Sequence, residues 1–164
     1  MLRWSKNDLT VCIDPENSFI EIETLKDILI DILDQISSIV PLRFTMVESL
    51  DCDITIKFRE IDGPGQTLAF VSLPTQSDLV DSCDCGDVTV DIEDPLSSEL
   101  LYVSLAHEIG HSLGIREHAE DVPSIMNPFL NSGFVGTKIA DDNYYRNELL
   151  VRYGSDFGMR VNFE

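Results

Sequence analysis

Apolar residues recur at three- and four-residue steps through Leu25, Ile28, Leu29, Ile32, Leu33 and Ile36. That spacing puts a single apolar stripe on the core-facing side of a helix. Thr24 stands where a cap is expected, with Asp27 three residues later, and Pro41 marks the end. Ahead of this helix, residues 9–13 (Leu-Thr-Val-Cys-Ile) alternate like a strand and stop at the turn signal Asp14-Pro15. Residues 43–47 and 53–58 read as two more strands. The tight loop Asp62-Gly63-Pro64-Gly65 leads into another over 68–73, stopped by Pro74. Val88, Val90 and Ile92 alternate with Asp87, Thr89 and Asp91, the pattern of a half-buried strand. Helices are expected from about Ser98 to Gly114 and from Ile139 to Tyr153, the latter turning Tyr144, Leu149, Leu150 and Tyr153 to the core. Early strands with interleaved helices predict an α+β class built mainly on a single sheet. No repeat, low-complexity stretch or linker divides the chain, so residues 1–164 read as one domain.

Charge narrows the range of partners. Thirty acidic against 11 basic residues give a net charge of −19. A surface that negative repels phosphate backbones and anionic membranes, so nucleic acid and lipid are not expected partners. It favours cationic partners and hard ions such as calcium, although most of these carboxylates need be no more than a solvated face. The first eight residues hold no apolar stretch like a signal peptide's, and no apolar run is long enough to cross a membrane. With Met1 as the native start, the expectation is a cytoplasmic, monomeric chain with no propeptide. The four cysteines, Cys12, Cys52, Cys83 and Cys85, are too few to read as a disulfide scaffold for a domain of this size.

The chemistry concentrates in one segment. All three histidines of the chain, His107, His111 and His118, fall within twelve residues. Residues four apart on a helix share a face one turn apart, so His107 and His111 can both reach one zinc ion. Glu108 lies beside them, placed to act on a metal-bound water without being a ligand. Five residues of this kind also fit an ordinary helix with two surface histidines. Gly114 tilts the balance, because a glycine there lets the chain turn sharply with φ > 0 and return a third ligand to the same ion. Three nitrogen ligands leave one position open for water or substrate, the arrangement of catalytic zinc.

With these residues and with Ser124-Ile125-Met126-Asn127-Pro128 downstream, the chain resembles the metzincin clan of metallopeptidases, and within it the catalytic domain of the matrixins. Arg3-Trp4 with Leu9-Thr10, the run from Pro41 to Thr45, Asp53 to Phe58, Asp62 to Ala69, Gly86 to Asp91, and Ala140-Asp141-Asp142 with Arg152-Tyr153-Gly154 are similar to further segments of that family. The resemblance implies a zincin-like α+β domain: a twisted, mostly parallel five-stranded sheet with an active-site helix and a C-terminal helix. It implies that Met126 supports the metal site from below. The activity it implies is that of a zinc-dependent endopeptidase acting on peptide or protein substrates, with Glu108 as the catalytic base. The strand over 68–73 would add an extended substrate to the sheet, with Leu68 and Ala69 at the cleft. Val103, Pro128 and Phe129 would wall an apolar pocket for the residue after the cut. A structural calcium is implied at Asp62, Asp91 and Asp94 with the carbonyls of Gly63, Gly65 and Thr67.

The sequence also departs from the family pattern. The position three residues after Gly114, where the family has its third ligand, is Glu117, and His118 follows it. His118 is preferred, because its distance to Met126 matches the family and imidazole suits zinc. Glutamate at 117 stays open as the alternative. Phe70 and Thr89 occupy two histidine positions of the family's second, structural zinc, so that site is expected to be lost, with Cys83 and Cys85 nearby as free thiols. These departures give the rival reading its support: a non-catalytic module that keeps the fold and binds a protein partner. Glu108 argues against it, since a pure binding module has no need of a base.

Overall fold

The computed structural model describes residues 1–73, 79–80 and 86–154. In chain order come strands β1 (Arg3–Trp4) and β2 (Asp8–Ile13), helix α1 (Ile22–Ile39), strands β3 (Arg43–Met46), β4 (Ile54–Arg59), β5 (Ala69–Val71), β6 (Leu79–Val80) and β7 (Val88–Asp91), then helices α2 (Ser98–Ser112) and α3 (Asn143–Leu149). Five of the strands form a sheet in the order β3-β2-β4-β7-β5, parallel throughout except for β5, which runs antiparallel to β7 at the edge. This is the α+β, mostly parallel five-stranded architecture expected from the sequence, with a small parallel β1–β6 pair beside it. Among the described residues no helix is long and apolar enough to cross a membrane.

The α1 stripe is buried at all six expected positions, Leu25 through Ile36, and α1 packs on α2 and β3. Its start lies earlier than the sequence reading placed it. Glu21 is the N-cap and makes no side-chain cap bond, while Thr24 sits inside the first turn. Packing of the stripe, not a cap, therefore holds the helix in register. Val40 is extended, as the residue before a proline is forced to be.

Strand β7 also differs from expectation. It is buried at all four residues, not on alternate ones. It lies between β4 and β5, and its polar residues have long neighbours alongside: Lys57 and Phe70 pair with Thr89, and Arg59 with Asp91. Sequence alternation could not reveal cover supplied by other strands. Phe70 and Thr89, the two substitutions at the structural-zinc positions, thus face one another across the β5–β7 pair. Cys83 and Cys85 lie outside the described residues. Cys12 and Cys52, two of the four cysteines read above as too few for a disulfide scaffold, are joined in a single disulfide. Parallel pairing sets Cys12 opposite Thr55, which carries the start of β4 beside β2 across 40 residues of sequence. Only the strand register brings the two sulfurs together.

Candidate active site

Helix α2 carries the metal motif. Ser97 caps it, its Oγ accepting from Leu100 N at 3.3 Å, and it packs on β5 and β7. At its far end Gly114 takes φ +107°, a conformation that side-chain-bearing residues rarely adopt. The crowding is as severe as the torsion: a Cβ there would lie 2.2 Å from Leu2 O. The N-terminal residues fix this corner. Trp4 is fully buried and donates from Nε1 to Ser112 O (2.9 Å). Tyr153 Oη donates to Leu113 O (2.6 Å), and Arg152 Nε to Gly114 O (3.0 Å).

The turn at Gly114 returns His118 to the helix. His111 Nε2 lies 3.0 Å from His107 Nε2 and 3.1 Å from His118 Nε2. Among the described residues these three are the group whose ligand atoms converge within 4.8 Å of one another. Glu117 is not in it; its carbonyl accepts from Tyr144 Oη (3.1 Å). Two of the rings have their other nitrogen engaged: His107 Nδ1 with Ile125 O (2.7 Å) and His111 Nδ1 with Ile115 O (2.6 Å). A carbonyl only accepts, so each Nδ1 carries the proton and each Nε2 presents a lone pair. Burial, the larger influence, holds the pKa of His107 down to about 4 and that of His111 below its ordinary value. Both are therefore neutral at pH 7, the form that binds metal. Lone pairs turned toward one another repel unless a cation lies between them. Three imidazoles are the donor set that suits zinc, so these residues fit the ion.

Glu108 is on the same helix, 7% exposed, and burial raises its pKa to about 8. It has no place in the nitrogen cluster.

Beneath the cluster the chain turns through Ser124-Ile125-Met126. Met126 is fully buried and packs so close to α2 that a Cβ on Gly110 would meet its Sδ at 2.7 Å. Asp142 organises the turn. Its carboxylate accepts from Ser124 Oγ (2.8 and 2.9 Å), Ile125 N (2.6 Å) and Tyr145 N (3.0 Å). Because Ile125 O holds the His107 ring, Asp142 is linked to the histidine cluster through the turn. Sequence reading placed Asp142 only in the closing segment; a lone acid ahead of a helix reads as a cap, and its second role depends on the turn folded against it. The closing segment itself is broken: a 3₁₀ turn over Ile139–Asp141, then α3, then a π-helical turn over Leu150–Gly154. Its inward tyrosine is Tyr145, bonded to Ala106 O (2.7 Å), whereas Tyr144 is half-buried. Asp142→Ala is expected to destabilise the protein by about 3 kcal/mol, since charge-assisted bonds are lost and buried donors are left unpaired. Zinc affinity is expected to fall with it. Denaturant titration beside zinc competition would check this, and an unchanged affinity would disconnect Asp142 from the ligand.

The sequence pattern of the matrixins matches residues 3–146. The chain belongs to the matrixin family. It is 33% identical over 135 residues to stromelysin-3 of Mus musculus, covering 77% of this chain and 27% of that one. With matrix metalloproteinase-26 of Homo sapiens it is 30% identical over 138 residues, 77% of this chain and 50% of the relative. Interstitial collagenase A of Mus musculus is 31% identical over 139 residues, 77% and 28%. This matrixin chain thus spans half or less of the length of these relatives. The family is one of zinc metalloendopeptidases.

In this matrixin a cleft of about 500 Å³ opens beside the histidine cluster. Leu68, Ala69, Val103, His107, Glu108, Pro128 and Phe129 are among the residues that line it. All five residues expected to contact substrate are therefore in one cleft, although Phe129, 78% exposed, stands at its rim. The loop expected to hold calcium is closed by its own amides. Gly65 N donates to the Asp94 carboxylate (2.9 and 3.0 Å) and Thr67 N to that of Asp62 (3.1 and 3.2 Å). Asp91 is fully buried; Oδ1 accepts from Glu93 N (3.0 Å), while Oδ2 is a buried oxygen without a hydrogen bond. Asp62, Asp91 and Asp94 do not converge as the histidines do.

Proposed function

We propose that this matrixin is an active zinc endopeptidase that hydrolyses peptide bonds directly, with no covalent intermediate. The observation that carries the reading is the convergence of three imidazole nitrogens next to a buried glutamate in the wall of an open cleft. His107, His111 and His118 would hold the ion. Zinc, when bound, supplies the Lewis acidity that makes a water nucleophilic at neutral pH and polarises a carbonyl. Glu108 takes the water's proton and delivers it to the leaving amine. A raised pKa suits that shuttle, since the group must both accept and release a proton near neutrality. The antiparallel edge strand β5 offers backbone groups on which an extended peptide can align. The side chain after the cut enters the pocket walled by Val103, Pro128 and Phe129.

A structural calcium belongs to the same proposal, supported by the unpartnered Asp91 Oδ2. Its further ligands would be Asp62, Asp94 and the carbonyls of Gly63, Gly65 and Thr67. The Cys12–Cys52 disulfide favours an oxidising compartment over the cytosol.

Cleavage of a fluorogenic peptide library, with the protein zinc-loaded and then chelated, tests the reading. Turnover that disappears with the chelator and returns with zinc is expected. Folded, zinc-loaded protein that cleaves nothing would instead favour the binding module.

A further inference from the structure

A serine in an α-helix ordinarily turns its hydroxyl back to a carbonyl of the preceding turn. Ser112 does so, donating to Ile109 O at 2.9 Å. Ser104, on the same helix, does not: its Oγ takes part in no hydrogen bond among the described residues. Only 7% of Ser104 is exposed, and what is exposed lines the cleft. It lies three residues before His107 and four before Glu108, so helical geometry sets all three on one face. The cleft it lines is of mixed character, with apolar Val103, Ile125, Leu130 and Phe134 beside polar His107, Glu108 and Asn127. The hydroxyl has no protein partner and opens onto the cleft, where a group of a bound substrate can replace water as its partner.

We propose that Ser104 is a specificity-determining residue whose hydroxyl pairs with the substrate side chain entering this pocket. The protein then prefers peptides with a hydrogen-bonding group on an apolar stem at that position, threonine over isosteric valine and glutamine over methionine. This refines the apolar preference expected from the sequence. The walls select the stem and Ser104 selects the head. The inference rests on the proposed use of the cleft for peptides.

The test uses peptides that differ only as threonine/valine or glutamine/methionine after the cut. kcat/KM is measured for zinc-loaded parent, Ser104→Ala and Ser104→Thr. Dissociation constants are measured on the zinc-loaded Glu108→Ala background, with and without Ser104→Ala. The polar member of each pair is expected to be favoured by the parent. That preference should fall about fivefold in Ser104→Ala, the scale of one uncharged hydrogen bond, and be retained in Ser104→Thr. A polar-to-apolar ratio that does not move in Ser104→Ala, or a parent that favours the apolar members, would overturn the proposal. If the parent cleaves none of the peptides, the endopeptidase reading fails, while the binding ratios still decide the role of Ser104.

Discussion

Glu108→Gln is expected to lower peptide turnover about a thousandfold, the scale of a lost general base, and to leave zinc bound. Glutamine keeps the size of the side chain and removes the proton acceptor. The nitrogen cluster does not include position 108, so the ligands stay in place. The same substitution should stabilise metal-free protein at alkaline pH. Burial raises the Glu108 pKa from 4.5 to about 8, so between those values the folded state holds a proton that the unfolded chain releases. Stability of the parent therefore falls as pH rises through that window, by at most ~1.4 kcal/mol per pH unit from this one group. Glutamine has no charge to bury. The stability difference between variant and parent should be absent below pH 4.5, widen with rising pH and level off above about 8. Denaturant titrations of chelated protein across this range measure it. A difference independent of pH would mean that the carboxylate is not desolvated. His107, held down to about 4, acts in the opposite direction below its ordinary pKa of 6.5. Comparing the variant with the parent cancels that contribution.

Gly114→Ala should cause a large structural loss. Alanine at φ +107° is strained, and its Cβ would sit 2.2 Å from a backbone oxygen of Leu2. A backbone oxygen cannot swing aside as a side chain can. A loss of about 3 kcal/mol is expected, the upper end of what one strained residue costs. Because the turn at 114 delivers His118 to the cluster, zinc affinity should fall by roughly 10- to 100-fold, the scale for losing support of a ligand. Gly136→Ala is the control. It has φ +82° with nothing within 4 Å of the added Cβ, so only the torsional cost of about 1–2 kcal/mol applies. Denaturant midpoints and zinc competition for the two variants separate strain from crowding. Equal effects at 114 and 136 would show that contact with the N-terminal strand is unimportant.

The features legible in the sequence are those set by neighbours along the chain. The α1 stripe, the four-residue spacing of His107 and His111 with Glu108 between them, and the need for glycine at 114 follow from helical period and backbone torsion. The mostly parallel five-stranded sheet entered only through resemblance to a family, as did the part played by Met126; the strand order and the antiparallel edge came from the fold. Misreadings occurred where distant segments decide. Thr24 has the right chemistry for a cap, but packing extends α1 past it. Tyr144 and Tyr145 are adjacent and alike, and only the position of Ala106 O selects the second for the core.

By itself, then, the sequence determined the histidines available as ligands, the helix that presents two of them and the glutamate beside them, because these depend on residues a turn or less apart. The tertiary structure alone decided the rest. It closed the third nitrogen onto the first two, tied His107 to Asp142 through the turn at Met126, joined Cys12 to Cys52 and left the Ser104 hydroxyl without a partner. Each depends on atoms far apart in sequence whose separation is set by how strands register and helices pack, and local periodicity carries no record of that.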